Sequence, residues 1–339
     1  MEQRKFQLLF FETLKQHISE NHTLVDVLTD VLQISQDSAY RRMRGDTALS
    51  FDETVKLANA YRVSLASIAG HSDNSAVFHR QPFITNLDQY RDYMKSSLEN
   101  LKFVQAQRNH MIYYQAKDIP VFYLYALPKL CAFKIYVWLK SVYGIDKIDG
   151  KNYNLSMIPE DIIDIAHQQY EVFSRINTTE IWGETTIRSI INQIEYYYEA
   201  GFFSSKEEAL EICDEFKEMM KIIYKQALNG KKLHAVNREV FSSASYSMYF
   251  HEILLMDNHI MTKYGENNIM YFMPYAGINY LSTTDPELTS DVNGYLEGQI
   301  SKAASIDNLS EKERNRFFIR IKNQIDILRD KIISTDPFL

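Results

Sequence analysis

Features that mark several common classes of protein are scarce in this chain of 339 residues. It has two cysteines, Cys131 and Cys213, which are too few for a disulfide framework and lack the paired spacing of a zinc site. Its longest uninterrupted apolar run, residues 121–127, is far shorter than the roughly 18 residues that a membrane-spanning helix needs. We therefore expect a cytoplasmic protein with no membrane partner.

Catalytic signatures are also missing. The chain has 11 glycines, and none of them lies in a phosphate-binding loop of the GxxxxGK[ST] or GxGxxG type. The nucleophile motif GxSxG and the zinc motif HExxH are absent as well. Asp161, Asp164 and His167 recur every three residues, a spacing that spreads them around a helix rather than gathering them on a metal. We expect no enzyme, catalytic residue, metal site or cofactor, although an enzyme domain of unrecognised type stays open as an alternative.

The composition is that of a folded protein with a large core. Apolar residues make up 45% of the chain and charged residues 24%, an ordinary balance for globular domains, and the length favours two or three domains. The net charge of −7 argues against a protein that coats nucleic acid through a broad positive surface. Residues 36–44, however, hold three arginines and one aspartate. Any contact with nucleic acid must therefore be local.

Apolar residues at three- and four-residue steps predict a mainly α protein. Helices are predicted at 4–20, 87–106, 129–142, 160–175, 184–200, 205–228, 286–304 and 310–333. Between residues 241 and 282, short β-prone runs alternate with turn residues, which predicts a small antiparallel β-meander. The expected fold is an N-terminal bundle of four to five helices, a helical middle region, and the meander with helices at the C-terminal end.

The most informative segment is Leu24–Ile68. An apolar stripe ends at Ile34-Ser35, a short arginine-rich helix runs to Arg44, and Ser50 with Glu53 forms a capping box that opens another helix. This arrangement resembles the lambda-repressor-like (XRE-type) helix-turn-helix of bacterial and phage regulators. The sequence departs from that family at Gln33, where the turn often has glycine, and at Arg42, where an apolar residue is common.

Helix geometry assigns roles to the arginine-rich helix. If Ala39 and Met43 point into the core, Asp37, Ser38, Arg41 and Arg44 lie on the opposite face, where they can enter the major groove of DNA. Arginine suits that position because its planar fork can bond both acceptors of a guanine edge. Flanking residues commonly hold phosphates. The predicted DNA-contacting residues are Gln36, Asp37, Ser38, Tyr40, Arg41, Arg42 and Arg44.

The resemblance implies a sequence-specific transcription regulator that binds double-stranded DNA. Because one such module reads few base pairs, we expect a homodimer, and the large remaining chain is expected to respond to an unknown small-molecule or protein effector. A helix-turn-helix-like bundle that binds protein instead of DNA remains an alternative. The predicted domains are a helix-turn-helix domain over residues 1–70, a linker over 71–82, a helical dimerisation or sensing domain over 83–235 and an α+β lobe over 236–339.

Overall fold

The protein forms two compact units, Met1–Phe78 and His79–Leu339, here called unit 1 and unit 2. The structure is a computed structural model. It describes residues 5–18, 22–61, 63, 65–68, 76–145, 148, 152–252, 257–307 and 310–335. Helices account for 57% of the described residues. In the part of the chain that is described, no helix is both long enough and apolar enough to cross a bilayer.

Unit 1 is a bundle of short helices, as the sequence predicts. Its helices are α1 (Lys5–Gln16), α2 (Leu24–Leu32), α3 (Gln36–Met43), α4 (Phe51–Tyr61) and α5 (Leu65–Ile68). Their apolar faces meet in one core to which α1 contributes Phe10, Phe11 and Leu14, and α3 contributes Ala39. The core therefore fixes which face of α3 points away from the bundle.

Unit 2 contains the remaining helices. They are α6 (Leu87–Ala106), α7 (Val121–Leu124), α8 (Pro128–Val137), α9 (Glu160–Phe173), α10 (Arg188–Glu199), α11 (Lys206–Asn229), α12 (Pro286–Lys302) and α13 (Glu311–Ser334). A π-helical turn, Trp138–Val142, continues α8. The helix α11 ends at Gly230, whose φ of 64° is the left-handed stop predicted for Asn229-Gly230.

The sheet of unit 2 is larger than the small meander predicted. Its strands are β1 (His79–Arg80), β2 (Met111–Ala116), β3 (Thr178–Gly183), β4 (Lys231–Leu233), β5 (Phe241–His251), β6 (His259–Tyr264), β7 (Asn268–Ala276), β8 (Asn279–Thr283) and β9 (Ala304–Ser305). The strand order is β1-β8-β7-β6-β2-β3-β5-β4, and β9 also pairs with β5. The antiparallel pairing of β6 with β7 confirms the second half of the predicted meander, and β8 extends it.

The prediction of a small meander failed because it overlooked β2 and β3, which lie within the region predicted to be helical. Both strands pair in parallel, and β3 pairs in parallel with β5. All six residues of β3 are buried, so it shows none of the alternation that marks a half-exposed strand. These two strands also separate β5 from β6, which the sequence suggested were neighbours. Residues 253–256, at the end of the first predicted meander strand, lie outside the described residues.

Candidate nucleic-acid interface

The helix α2 begins and ends with well-defined local structure. The backbone N–H of Asp26 donates to Thr23 Oγ1 (3.2 Å), and the backbone N–H of Thr23 donates to Asp26 Oδ2 (2.8 Å), which closes a capping box. Hydrogen bonds from Thr23 hold the pKa of the Asp26 carboxyl below its ordinary value. At the other end, Gln33 adopts a left-handed backbone with φ 53°. The tight turn into α3 therefore forms without the glycine common in the family that the segment resembles.

The helix α3 begins at the predicted break. The Ser35 hydroxyl accepts a hydrogen bond from the backbone N–H of Ser38 (3.3 Å), which caps the helix. Ala39 is fully buried and Met43 packs against the same core. At the C-terminal end, Gly45 has φ 80°, and the predicted Gly45-Asp46 stop is confirmed.

The face of α3 that points away from the core carries most of the predicted residues. Gln36, Asp37, Tyr40, Arg41 and Arg44 are exposed. Ser38 and Arg42 are half-buried instead. The structure thus brings five of the seven predicted residues to one solvent-facing surface, here called the α3 face. Whether any of the seven contacts DNA stays a prediction.

Arg42 has a partner inside unit 1. Its Nη2 lies 2.8 Å from Glu53 Oε1, its Nε donates to Glu53 Oε2 (3.4 Å), and its Nη1 donates to the carbonyl of Ser38 (3.3 Å). The two side chains are only 16% and 22% exposed. Desolvation raises the pKa of Glu53, but hydrogen bonds from Ser50 and Arg42 outweigh it and leave the pKa below its ordinary value. Arg42 therefore links α3 to the first turn of α4.

Arg44 and Arg41 have different surroundings. Arg44 Nε donates to Asp46 Oδ2 (3.0 Å), but these side chains are 64% and 52% exposed, so water screens the pair strongly. Within the described residues, Arg41 forms no ion pair, while its carbonyl accepts the backbone N–H of Asp46 (2.8 Å). Arg41 therefore offers a guanidinium that has no competing carboxylate among those residues.

The helix α1 braces the segment that follows α3. The side-chain amide of Gln7 donates to the carbonyls of Arg42 (2.8 Å) and Thr47 (2.9 Å), and its oxygen accepts the backbone N–H of Leu49 (3.0 Å). One side chain thus satisfies one backbone group in the last turn of α3 and two in the loop between α3 and α4. The orientation of α3 is consequently fixed from two sides, by Gln7 and by Glu53.

Comparison with known proteins gives one result for this part of the chain. Residues 12–92 match the BetR domain. This is an HTH-like DNA-binding family, so the match supports a DNA-binding, regulatory role for the N-terminal part. The match covers about a quarter of the chain, from within α1 to within α6, and includes the whole α3 face. The lambda-repressor-like (XRE) type is a finer assignment that the match leaves as a prediction. Comparisons with curated proteins and with solved structures found no significant match.

The sequence did not reveal Gln7 as part of this site, and it did not reveal the structural role of Arg42. Gln7 lies more than 30 positions from each group it bonds, and no local pattern reports such a contact. The sequence did mark Arg42 as unusual, because the family that the segment resembles commonly has an apolar residue at this position. Pairing Arg42 with Glu53 required the distance between α3 and α4, although the capping role of Glu53 with Ser50 was evident and is confirmed.

Proposed function

We propose that this chain is a sequence-specific transcription regulator that inserts α3 into the major groove of double-stranded DNA. The supporting observation is the α3 face, an exposed, arginine-bearing helix surface within the segment that matches the BetR domain. A helix held at both ends by caps and from two sides by Gln7 and Glu53 can approach a duplex without reorganising. Such preorganisation lowers the entropic cost of binding.

The residues of the α3 face divide into two roles. In our proposal Arg41 reads a guanine edge, because a free guanidinium can bond O6 and N7 together. Arg44, with Gln36 and Tyr40, holds phosphate oxygens and sets the position of the helix on the duplex. Arg42 acts indirectly by fixing the orientation of α3, since its guanidinium is already engaged by Glu53.

Asp37 places a negative charge beside this surface. A carboxylate is repelled by phosphates but can accept a hydrogen bond from the N4 amino group of cytosine. Because Asp37 lies in the first turn of α3, it is also favourable for the helix dipole. We propose that it disfavours sites that would bring a phosphate close to the N-terminus of α3.

We further propose that the regulator acts as a cytoplasmic homodimer and that unit 2 supplies the dimerisation or effector-responsive region. One helix-turn-helix reads only a few base pairs, and two copies on a two-fold-symmetric site give the required specificity. No catalytic role or cofactor is proposed for unit 2, and chemical conversion of a molecule bound there would contradict that.

Selection of bound sites from random duplex DNA tests the proposal with the intact protein. Enrichment of one motif is expected, and two copies of it related by two-fold symmetry would support the dimer. Affinity for the selected site should fall steeply as salt rises, because each phosphate contact releases counterions. Failure to enrich any sequence, together with no duplex binding at low ionic strength, would contradict the proposal.

A second candidate function is binding to another protein through unit 1. Phe6 and Phe51 are exposed, at 60% and 78%, and large exposed aromatic side chains are typical of protein interfaces. A protein contact dominated by these residues should show weak salt dependence, whereas a DNA contact should show a strong one. The salt titration described above therefore separates the two functions.

A further inference from the structure

Unit 2 contains a cavity of about 200 Å³ beyond the carboxyl ends of its parallel strands. The strands β2 and β3 end at Ala116 and Gly183, and the residues that follow each strand line the cavity, with Asp118 after β2 and Thr186 after β3. In sheets with parallel strands, ligands commonly bind in the crevice at this edge. The cavity also lies against α8 and α10.

A buried lysine on α8 faces this cavity. Lys134 is 7% exposed, its Nζ donates to Gln193 Oε1 (2.7 Å), and it lies 5.1 Å from the centre of the Trp138 ring. No carboxylate lies within 4.0 Å of it among the described residues. An ammonium group has three donors, and buried charges in proteins are nearly always paired. The cavity therefore holds a positive charge that forms no direct ion pair with a carboxylate of the described residues.

Burial has the expected effect on this lysine. It lowers the pKa of Lys134 to about 8, an effect that the nearby Asp118 carboxylate only partly offsets. At neutral pH the group still carries its proton most of the time. Burial has already removed water from the Lys134 ammonium, so an anion that enters the cavity would bind a desolvated cation.

The first turn of α10 adds to the same positive region. Ser189 and Ile190, the second and third residues of this 12-residue helix, line the cavity. The N-cap residue Ile187 provides no side-chain hydrogen bond, and the first turn has no acidic residue. The N-terminus of a helix carries a partial positive charge and free N–H groups, both of which favour an anion. Lys134 and α10 thus favour an anionic group at the same wall.

Asp118 gives the cavity an opposite charge. Its backbone N–H donates to Asn258 Oδ1 (3.1 Å), and its carboxylate forms no ion pair among the described residues. Asp118 and Lys134 both line the cavity, and the Asp118 carboxylate partly offsets the effect of burial on the pKa of Lys134. A ligand that carries both an anionic and a cationic group would match both.

The rest of the lining mixes aliphatic side chains with the polar side chains of Tyr114, Thr186, Ser189, Gln193, Asn258 and Tyr280, and the space is small. The aliphatic part of the wall consists of Ile119, Val121, Leu124, Ile190 and Ile278. A volume of about 200 Å³ lies below the roughly 300–1,000 Å³ of pockets for drug-sized ligands, which points to a metabolite of few atoms. The ligand that fits this lining has a carboxylate, an ammonium group and an aliphatic side chain.

We propose that this cavity binds a free aliphatic amino acid, with its carboxylate on Lys134 and the first turn of α10, and its ammonium group on Asp118. The aliphatic side chain then packs against the isoleucines and the leucine of the wall. This binding uses residues of unit 2 alone, so it can be measured without DNA and stands or falls separately from the function proposed for α3.

Calorimetric titration of the intact protein with three matched compounds tests the proposal. L-leucine carries both charges, L-leucinamide lacks the carboxylate, and 4-methylpentanoate lacks the ammonium group. Binding of L-leucine, or of valine or isoleucine in its place, is expected, with each analogue weaker by about tenfold or more because it lacks the charge that would pair with Lys134 or with Asp118. Equal binding of either analogue, or no binding of any of the three amino acids at millimolar concentration, would overturn the proposal.

Variants provide the second measurement. Lys134→Gln should weaken amino-acid binding by about tenfold or more, and Asp118→Asn should weaken it as well, because each removes one charge from the cavity. Lys302→Gln, an exposed lysine in the last turn of α12, is the matched control and should bind normally. Unchanged affinity in Lys134→Gln would overturn the proposal. If Lys134→Gln fails to fold, the comparison of the three compounds on the unaltered chain still decides.

Discussion

The ammonium of Lys232 lies 3.7 Å from Glu180 Oε1 in the interior of unit 2, and neither side chain is exposed to solvent. Glu180 accepts hydrogen bonds from Tyr123 (2.8 Å), Trp182 (2.8 Å) and Tyr246 (2.9 Å), so its carboxylate has three donors besides the lysine. Lys232 also donates to the hydroxyl of Tyr123 (2.8 Å). A charge on one side chain is therefore compensated by a network rather than by a single contact.

Removing the acid should harm unit 2 more than removing the base. Glu180→Leu leaves three buried donors without their acceptor and a buried ammonium without its opposite charge, and should cost roughly 3–5 kcal/mol of unfolding free energy. Lys232→Met should cost less, because Glu180 keeps its three donors. Urea denaturation followed by tryptophan fluorescence measures this, since both tryptophans, Trp138 and Trp182, lie in unit 2.

The opposite order of the two variants would contradict this account of the network. Burial lowers the pKa of Lys232 to about 7, which allows the lysine to lose its charge when Glu180 is missing. The hydrogen-bond donors of Tyr123, Trp182 and Tyr246 cannot avoid the loss of their acceptor by giving up a proton in the same way. The cost of Glu180→Leu should therefore fall somewhat as pH rises from 6 to 9, but should not disappear.

The contact between Arg42 and Glu53 should stabilise unit 1 measurably. A double-mutant cycle with Arg42→Met and Glu53→Gln should give a coupling of about 1 kcal/mol, because the pair is half-buried and makes two hydrogen bonds. Amide hydrogen exchange in residues 22–61 of the intact protein measures the opening free energy of unit 1 alone. The matched control is Arg44→Met with Asp46→Asn, an exposed pair whose coupling should be close to zero.

The same coupling should depend on pH in one direction. The folded pKa of Glu53 lies below its ordinary value of 4.5, so the stability it contributes is present above about pH 4.5. This contribution is lost as pH falls through the folded pKa, when the carboxylate gains a proton. A coupling that grew on acidification would contradict the ion pair as described.

Gln33 is a site where a single substitution should stabilise the protein. Its left-handed backbone costs a side-chain-bearing residue roughly 1 kcal/mol, which glycine avoids. Gln33→Gly should therefore raise the opening free energy of α2 and α3 by up to about 1 kcal/mol, measured by hydrogen exchange. Lys56→Gly, at an exposed position inside α4, should lower it by a similar amount. A loss of stability in Gln33→Gly would show that its side chain makes an essential contact.

Two arginines of the α3 face should affect DNA binding differently. Arg41→Ala should relax the preference for one base pair of the selected site and cost roughly 1–3 kcal/mol there, while Arg44→Ala should weaken binding to all sequences and reduce the salt slope by about one. Lys15→Ala, at an exposed position of α1, is the control and should leave both properties unchanged. Binding curves on matched and single-mismatch duplexes distinguish the outcomes. Equal effects of Arg41→Ala and Arg44→Ala on all duplexes would contradict the division of roles.

The sequence predicted the helices well because their signals are local. The helix α6 occupies residues 87–106 as expected, and Ser50 with Glu53 marks the start of α4 through neighbours only three residues apart. The outer side of α3 also followed from helix geometry, once Ala39 was placed in the core. Ser38 departs from that expectation because it is half-buried beside its bonded partner Ser35.

What the sequence did not reveal depends on contacts between distant segments. The strands β2 and β3 are separated by more than 60 residues, and their pairing places both in the buried centre of the sheet, where alternation is absent. The cavity in unit 2 was equally invisible, since Asp118, Lys134 and Ser189 come from three separate elements. Periodicity and capping patterns concern residues that are close along the chain, so they do not predict which distant residues come together.

The anchoring role of Gln7 bears on how the N-terminal unit can be isolated. The BetR match begins at residue 12, yet Gln7, Phe10 and Phe11 precede that boundary and supply loop hydrogen bonds and core contacts. A fragment cut at residue 12 would expose the cavity left by two phenylalanines and release three backbone groups at once. A fragment of unit 1 that keeps these contacts must therefore begin before the segment that matches the BetR domain.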